Sequence, residues 1–191
     1  MADYLALITI ILWPVVPLFW IPVHGLSRIF KRLGLFTYIM PMITWPPLVY
    51  LIYLNRVYLL QFKIELSLVL NITGLIFMIF GTLLHIWTGR LIGLWGLMGL
   101  PEVSRRVKGK LVEGGPFSVV RHPTYLAHAL LFSGVFLITG VMAVSIITIL
   151  DLLIINLAII PLEEKELLNR FGERYTEYKN RIRWRFLPGI L

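Results

Sequence analysis

The run HPTYLAHALLFSGVFLITGVMAVSIITILDLLIINLAIIPL, residues 122–162, decides the fold. It is 41 residues long and, with histidine counted neutral, Asp151 is its only charge. At about 1.5 Å of rise per residue one helix of this length reaches roughly 60 Å, twice a hydrocarbon core of about 30 Å. The run therefore predicts two spans folded back as a hairpin that turns near Gly140. Upstream, residues 4–27, 33–55 and 66–89 form charge-free windows of 24, 23 and 24 residues. Each suffices for one crossing. The expected fold is all-α: a polytopic integral membrane protein of about five transmembrane helices with a C-terminal helical tail.

Composition agrees. Hydrophobic residues make up 58% of the 191 and charged residues only 15%, against about 45–50% and about 25% in soluble domains. That excess of apolar surface cannot be buried in a water-facing globule of this size, and it excludes disorder. Cysteine is absent, which removes disulfides, zinc–thiolate sites and thiol nucleophiles, and no metal site is expected. The first window is not expected to be a cleaved leader: it lacks a basic start, begins after Asp3 and is interrupted by Pro14, Pro17 and Pro22. Residues 91–101, with Gly93, Gly96 and Gly99 around Trp95, are too short to span and read as interfacial or re-entrant.

The net charge of +8 raises nucleic acid as a partner until the charges are placed. With five spans, the segments 23–34, 89–121 and 161–191 share one face, and they hold 16 of the 18 basic residues. Only Arg56 and Lys63 lie opposite. The positive-inside rule puts that face, with the C-terminus, in the cytoplasm and the N-terminus on the other side. The charge is thus topological, with attraction to anionic membrane lipid, and no nucleic-acid partner is expected.

Polar residues inside the spans are few. His24 at a span end reads as interfacial, and His85 as a helix–helix hydrogen bond or a ligand contact. Asp151, an acid within a span, must be paired or protonated, for function or for packing. The second half is richer. Arg121-His122-Pro123-Thr124-Tyr125 stands where the basic loop enters the fourth span, with Pro123 suited to a first helical turn and Tyr125 and His128 on one helix face. Ahead of it, Lys110-Leu111-Val112-Glu113-Gly114-Gly115-Pro116-Phe117 carries a turn that lets backbone approach a ligand. After the fifth span, Pro161-Leu162-Glu163-Glu164-Lys165-Glu166 reads as a solvated helix start, with Glu166 able to pair with Arg170. A helix stop is expected at Gly172, then an amphipathic helix carrying Tyr175 and Tyr178.

Gly115-Pro116-Phe117, Arg121-His122-Pro123-Thr124-Tyr125, Glu163-Glu164 and Phe171-Gly172 with Tyr175, Tyr178 and Pro188 together resemble the isoprenylcysteine carboxyl methyltransferase family, a group related to the phospholipid methyltransferases. The resemblance covers about residues 90–188 in order and spacing, and resembles a compact prokaryotic-type member. It implies one membrane domain over residues 1–191, with three N-terminal spans in 1–89 and a methyltransferase core in 90–191. It also implies S-adenosylmethionine as cofactor, with S-adenosylhomocysteine as product. Matched by position, Gly109, Lys110, Leu111 and Val112 hold the cofactor through backbone, while Phe117, His122, Pro123, Thr124 and Tyr125 line it. Glu163 and Glu164 take its cationic methionine moiety or its ribose. Gly109 stands where many relatives have His, and Phe117 where a Tyr is usual, so side-chain hydrogen bonds are lost at both places.

The resemblance implies as substrate the carboxylate of a prenylated cysteine, or a similar lipid-like small molecule or prenylated peptide that enters laterally from the bilayer. Catalytic roles fall to Arg121, orienting an anionic head group or the cofactor carboxylate, and to Glu163. A carboxylate nucleophile needs positioning and desolvation more than proton chemistry, whereas an amine or hydroxyl needs a base, for which His122 or a glutamate is the candidate. An NADPH-dependent sterol or enone reductase shares the Arg-His-Pro-x-Tyr helix, but the acidic pair and the lack of Cys favour methyl transfer. A non-enzymatic scaffold leaves the conjunction of Arg121-His122-Pro123 with Glu163-Glu164 unexplained.

Overall fold

The computed structural model describes residues 1–104, 106–107, 109–187 and 189. Arg105 and Lys108 of the basic loop and Pro188 of the tail lie outside the described residues. The element order is α1 (Ala2–Leu12), α2 (Val15–Gly25), α3 (Ser27–Leu33), a 3-10 turn (Gly34–Tyr38), α4 (Ile39–Leu54), α5 (Arg56–Gln61), α6 (Leu68–Ile92), α7 (Leu94–Leu97) and α8 (Leu100–Val103). A second 3-10 turn (Gly115–Ser118) leads to α9 (Pro123–Thr139), α10 (Met142–Ile154), a π turn (Ile155–Ile159), α11 (Ile160–Phe171) and α12 (Glu173–Arg181). Among the described residues no sheet forms, only an isolated bridge between Lys63 and Val141. Four stretches are long and apolar enough to cross a membrane: Ala2–Gly25, Ser27–Leu54, Leu68–Ile92 and Met142–Phe171. The 17-residue α9 completes a bundle of about five.

The hairpin turns where expected. Gly140 caps α9 at φ 64°, in the left-handed region that glycine enters at little cost, and α10 returns from Met142. The tip is pinned from the α5–α6 connection, with Ile64 N donating to Gly140 O and Met142 N to Phe62 O. Packing between α6 and α9 is close because Gly74 and Gly134 meet backbone to backbone: a Cβ on Gly74 would lie 2.8 Å from Gly134 O, and one on Gly134 2.7 Å from Gly74 O. Small residues at a crossing are what membrane helices use when lipid removes the hydrophobic drive between them. The outer faces of α4 and α6 carry exposed apolar side chains such as Tyr50, Ile72 and Leu83, suited to lipid.

Proline breaks the first span at Trp13–Pro14, where Trp45 Nε1 donates to the Ile11 carbonyl at 3.0 Å. Two expectations are corrected. The acidic stretch 163–166 is not a solvated helix start: α10, the π turn and α11 run continuously to Phe171, and Glu164 and Glu166 are buried. Each has basic partners, Glu166 with Lys31 at 2.9 Å and Arg170 at 2.8 Å, Glu164 with Arg121 and Lys179, both at 2.8 Å. Pro161 is tolerated because the π turn already displaces the ordinary helical ladder there. His24 is not interfacial but buried, stacked on Trp20 at 5.1 Å.

The same contacts gather the basic segments. Lys31 of α3, Glu102 of α8, and Glu166 and Arg170 of α11 interlock at one end of the bundle, where Glu164 pairs with Arg121 and Lys179. Asp3 and Lys63 pair at the other, near the hairpin tip.

Candidate functional site

Where α9, α11 and α12 meet the α6–α9 loop, they enclose a cavity of about 560 Å³, within the range of small-molecule sites. The predicted residues converge on it. Gly109, Lys110, Leu111 and Val112 form one wall, and Phe117, Thr124 and Tyr125 another. Arg121, His122 and Glu163 lie at its polar end. Two predicted positions fall outside the lining. Pro123 sits buried at the first turn of α9, and Glu164 turns away toward Arg121 and Lys179.

Local structure explains this convergence. His122 caps α9 and Pro123 starts it, so Tyr125 projects one turn in and donates its hydroxyl to Glu163 Oε2 at 2.8 Å. His122 is buried between the acids, Nδ1 at 3.5 Å from Glu163 Oε2 and Nε2 at 3.5 Å from Glu164 Oε1. Gly109 has φ 69°, and a Cβ there would press on Pro101 at 3.0 Å and Arg170 Nη1 at 3.2 Å, which fits glycine in place of a bulkier residue. Phe117 lends its backbone, its carbonyl accepting from Tyr178 OH at 2.8 Å.

Arg121 is committed to the tail. Its Nε donates to Glu164 Oε1 at 2.8 Å, and Nη1 to the carbonyls of Ile182 and Arg183, both at 2.7 Å. Backbone bonds from Arg121 N to Trp184 O and His122 N to Arg185 O draw the chain after α12 across the same corner. The guanidinium thus ties Glu164 to the chain after α12 while Arg121 also lines the cavity.

Burial alone disfavours a charged His122, but Glu163 and Glu164 outweigh it and hold its pKa above the ordinary 6.5. The folded protein therefore binds this proton more tightly than the unfolded chain does. The resulting stabilisation is complete below pH 6.5 and is lost as pH rises through the raised folded value. We expect the melting temperature in detergent to fall as pH climbs above 6.5, and His122→Gln to remove that part of the slope. A variant with the wild-type slope contradicts the assignment.

The sequence missed several lining residues: Trp20, Trp95, Glu102 and Arg170. Glu102 carried a signal, as a lone acid in the apolar stretch 91–103; Trp20, on a distant span, carried none. Tyr175 and Tyr178, recognised as motif residues, line the cavity from α12. His85 lines it too and meets His128 edge-on at 6.4 Å rather than through a hydrogen bond.

The donor set can be tested against S-adenosylmethionine. The buried Tyr175 hydroxyl and Glu102 Oε2 have no hydrogen-bond partner in the protein, and buried polar atoms rarely stay unpaired. Both line the cavity. With the Glu163 carboxylate they offer a cation and its hydroxyls complementary groups, while Trp20, Trp95 and Leu111 supply apolar walls. The residues fit the group. The family model described as phospholipid methyltransferase matches residues 69–174, from α6 to the start of α12. No curated protein and no solved structure matches the chain.

Proposed function

The chain belongs to the phospholipid methyltransferase family, and on that footing we propose that it methylates a lipid-borne acceptor in the α9–α11–α12 cavity, with S-adenosylmethionine as methyl donor. The observation that carries this is the cavity itself: ten of the residues matched by the resemblance line one space of about 560 Å³. S-adenosylmethionine, when bound, supplies an electrophilic methyl group on a sulfonium.

The protein supplies place and field. Glu163 presents carboxylate to cationic charge, and Tyr125 and His122 fix its orientation. The 109–112 segment offers backbone along one wall. The chain after α12, held by Arg121, excludes water from the polar end, and in that low dielectric fixed charges act strongly. The lining also includes Ile92 and Val16 on the spans, a route by which a lipid tail stays in the bilayer. We place this site on the cytoplasmic face, in keeping with the basic residues gathered there.

The resemblance supports a prenylated-cysteine carboxylate as acceptor. The family's description supports a phospholipid head group as a second reading, and an imidazole on the cavity wall, His128, favours it. Purified protein given methyl-labelled cofactor and a crude lipid and peptide extract should label a solvent-extractable product, identified by mass spectrometry. Label confined to water-soluble species contradicts a lipid-borne acceptor.

A further inference from the structure

Glu102 and Arg170 line the cavity from α8 and α11, and neither belongs to the motifs matched by the resemblance. They form one ion pair. Arg170 Nη2 donates to Glu102 Oε1 at 2.7 Å, and the two side chains are 11% and 12% exposed. Glu166 Oε2 lies 2.8 Å from the same Nη2, and Lys31 Nζ donates to Glu166 Oε1 at 2.9 Å. Three helices, α3, α8 and α11, therefore hold the pair in place. On its other side stands a glycine. A Cβ on Gly109 would lie 3.2 Å from Arg170 Nη1 and 3.0 Å from Pro101, so the guanidinium takes up the space a side chain at 109 would need.

The pair is incomplete. Glu102 Oε2 and Arg170 Nε are buried, and neither has a hydrogen-bond partner in the protein. Bonds left unmade by charged groups are the costly ones, and both residues border the cavity. A cation alone satisfies the carboxylate but meets the guanidinium with like charge, and an anion alone does the reverse. A ligand with an ammonium and a carboxylate on one carbon supplies a donor to the acid and an acceptor to the base, and the four charges balance. Within S-adenosylmethionine only the α-amino acid end has this pattern. The nucleoside is neutral, and the sulfonium carries positive charge alone.

We propose that Glu102 and Arg170 form the subsite for the α-amino acid zwitterion of the methyl donor, Glu102 accepting from its ammonium and Arg170 donating to its carboxylate. The proposal rests on the methyltransferase reading of this cavity. Glu166 and Lys31 are positioning residues that keep the guanidinium beside Gly109. Glu163 is then left for the sulfonium. A zwitterionic lipid head group also carries charges of both signs, and it is one of the outcomes the test distinguishes.

The test is calorimetry on the full-length protein in dodecyl maltoside with three thioethers: S-adenosylhomocysteine, its decarboxylated form S-adenosyl-3-thiopropylamine, and 5′-methylthioadenosine, which lacks the amino acid end. None carries a sulfonium, so the Glu163 contact drops out of the comparison. Wild type should bind S-adenosylhomocysteine about 10-fold tighter than the amine, and the amine about 10-fold tighter than 5′-methylthioadenosine. Glu102→Gln should lose about 10-fold on the first two and keep the wild-type affinity for the third. Arg170→Lys keeps a positive charge for the acids but lacks the fork that reaches a further partner, and it should lose about 10-fold on S-adenosylhomocysteine alone. Thermal unfolding checks that both variants fold, and Glu102→Asp takes the place of Glu102→Gln, with the same pattern expected, if that variant does not. Equal loss on all three thioethers marks a structural role or a nucleoside contact and overturns the inference. Wild-type affinity for all three, with weakened capture of dioleoyl phosphatidylethanolamine in native mass spectrometry, assigns the pair to a lipid head group and overturns it too; so does wild-type behaviour throughout. Wild type that binds S-adenosylmethionine but holds S-adenosylhomocysteine no tighter than 5′-methylthioadenosine overturns the inference alone. Wild type that binds no S-adenosylmethionine overturns the underlying reading with it.

Discussion

Replacing Glu163 by glutamine is expected to weaken S-adenosylmethionine binding roughly 10- to 100-fold and to leave the fold intact. The side chain keeps its shape and one oxygen for the Tyr125 hydroxyl, which donates at 2.8 Å. What disappears is the charge on the side of the acid pair that opens to the cavity. A hydrogen bond to a charged group contributes about 1.5–3 kcal/mol, and each 1.4 kcal/mol is about tenfold in affinity, which gives the range. The neighbouring acid should behave oppositely. Glu164 is turned into the protein, on Arg121 and Lys179, so Glu164→Gln should lower the melting temperature more than the affinity. Calorimetry and thermal unfolding on the two variants separate these outcomes. An unchanged dissociation constant in Glu163→Gln contradicts the cation-binding role.

Arg121→Met carries the largest stability loss we expect, about 3 kcal/mol, because it leaves the buried Glu164 carboxylate to Lys179 and His122 alone. Arg121 and Glu164 are almost fully enclosed, with 5% and 6% of their side chains exposed. The variant also loses the bonds to Ile182 O and Arg183 O that hold the chain after α12. Trypsin should therefore cut at Arg183 and Arg185 at concentrations that leave the wild type whole. Arg121→Lys should fall between, since one ammonium can meet Glu164 but lacks the planar fork that also reaches the two carbonyls. A wild-type digestion pattern in Arg121→Met contradicts the tail-holding role.

These residues also mark how far the sequence could be read. The spans were legible because hydrocarbon admits only long uncharged helices, so the gaps between charges in 4–27, 33–55 and 66–89 and the length of 122–162 dictate the count. Gly140 and Gly172 were legible as stops; both have positive φ, 64° and 58°. The partners of the acids were not. Arg121 and Glu164 are 43 residues apart, and Trp13 and Asp151 are 138 apart, so only packing reveals them. That explains the misreading of 163–166: with its partners unseen, a run of glutamates looks solvated. Asp151 announced its cost, but its counterparts come from another helix and from the proline break of the first span. The charge and position of Arg121 suggest a ligand contact, yet its guanidinium is engaged by Glu164 and by the Ile182 and Arg183 carbonyls.

The most direct measurement is a calorimetric titration of S-adenosylmethionine into the detergent-purified wild-type protein. Saturable binding at one site, weakened in Glu163→Gln, is the expected result. No binding by the wild type, or binding unaltered when Glu163 and His122 are both replaced by alanine, would contradict the assignment of this cavity.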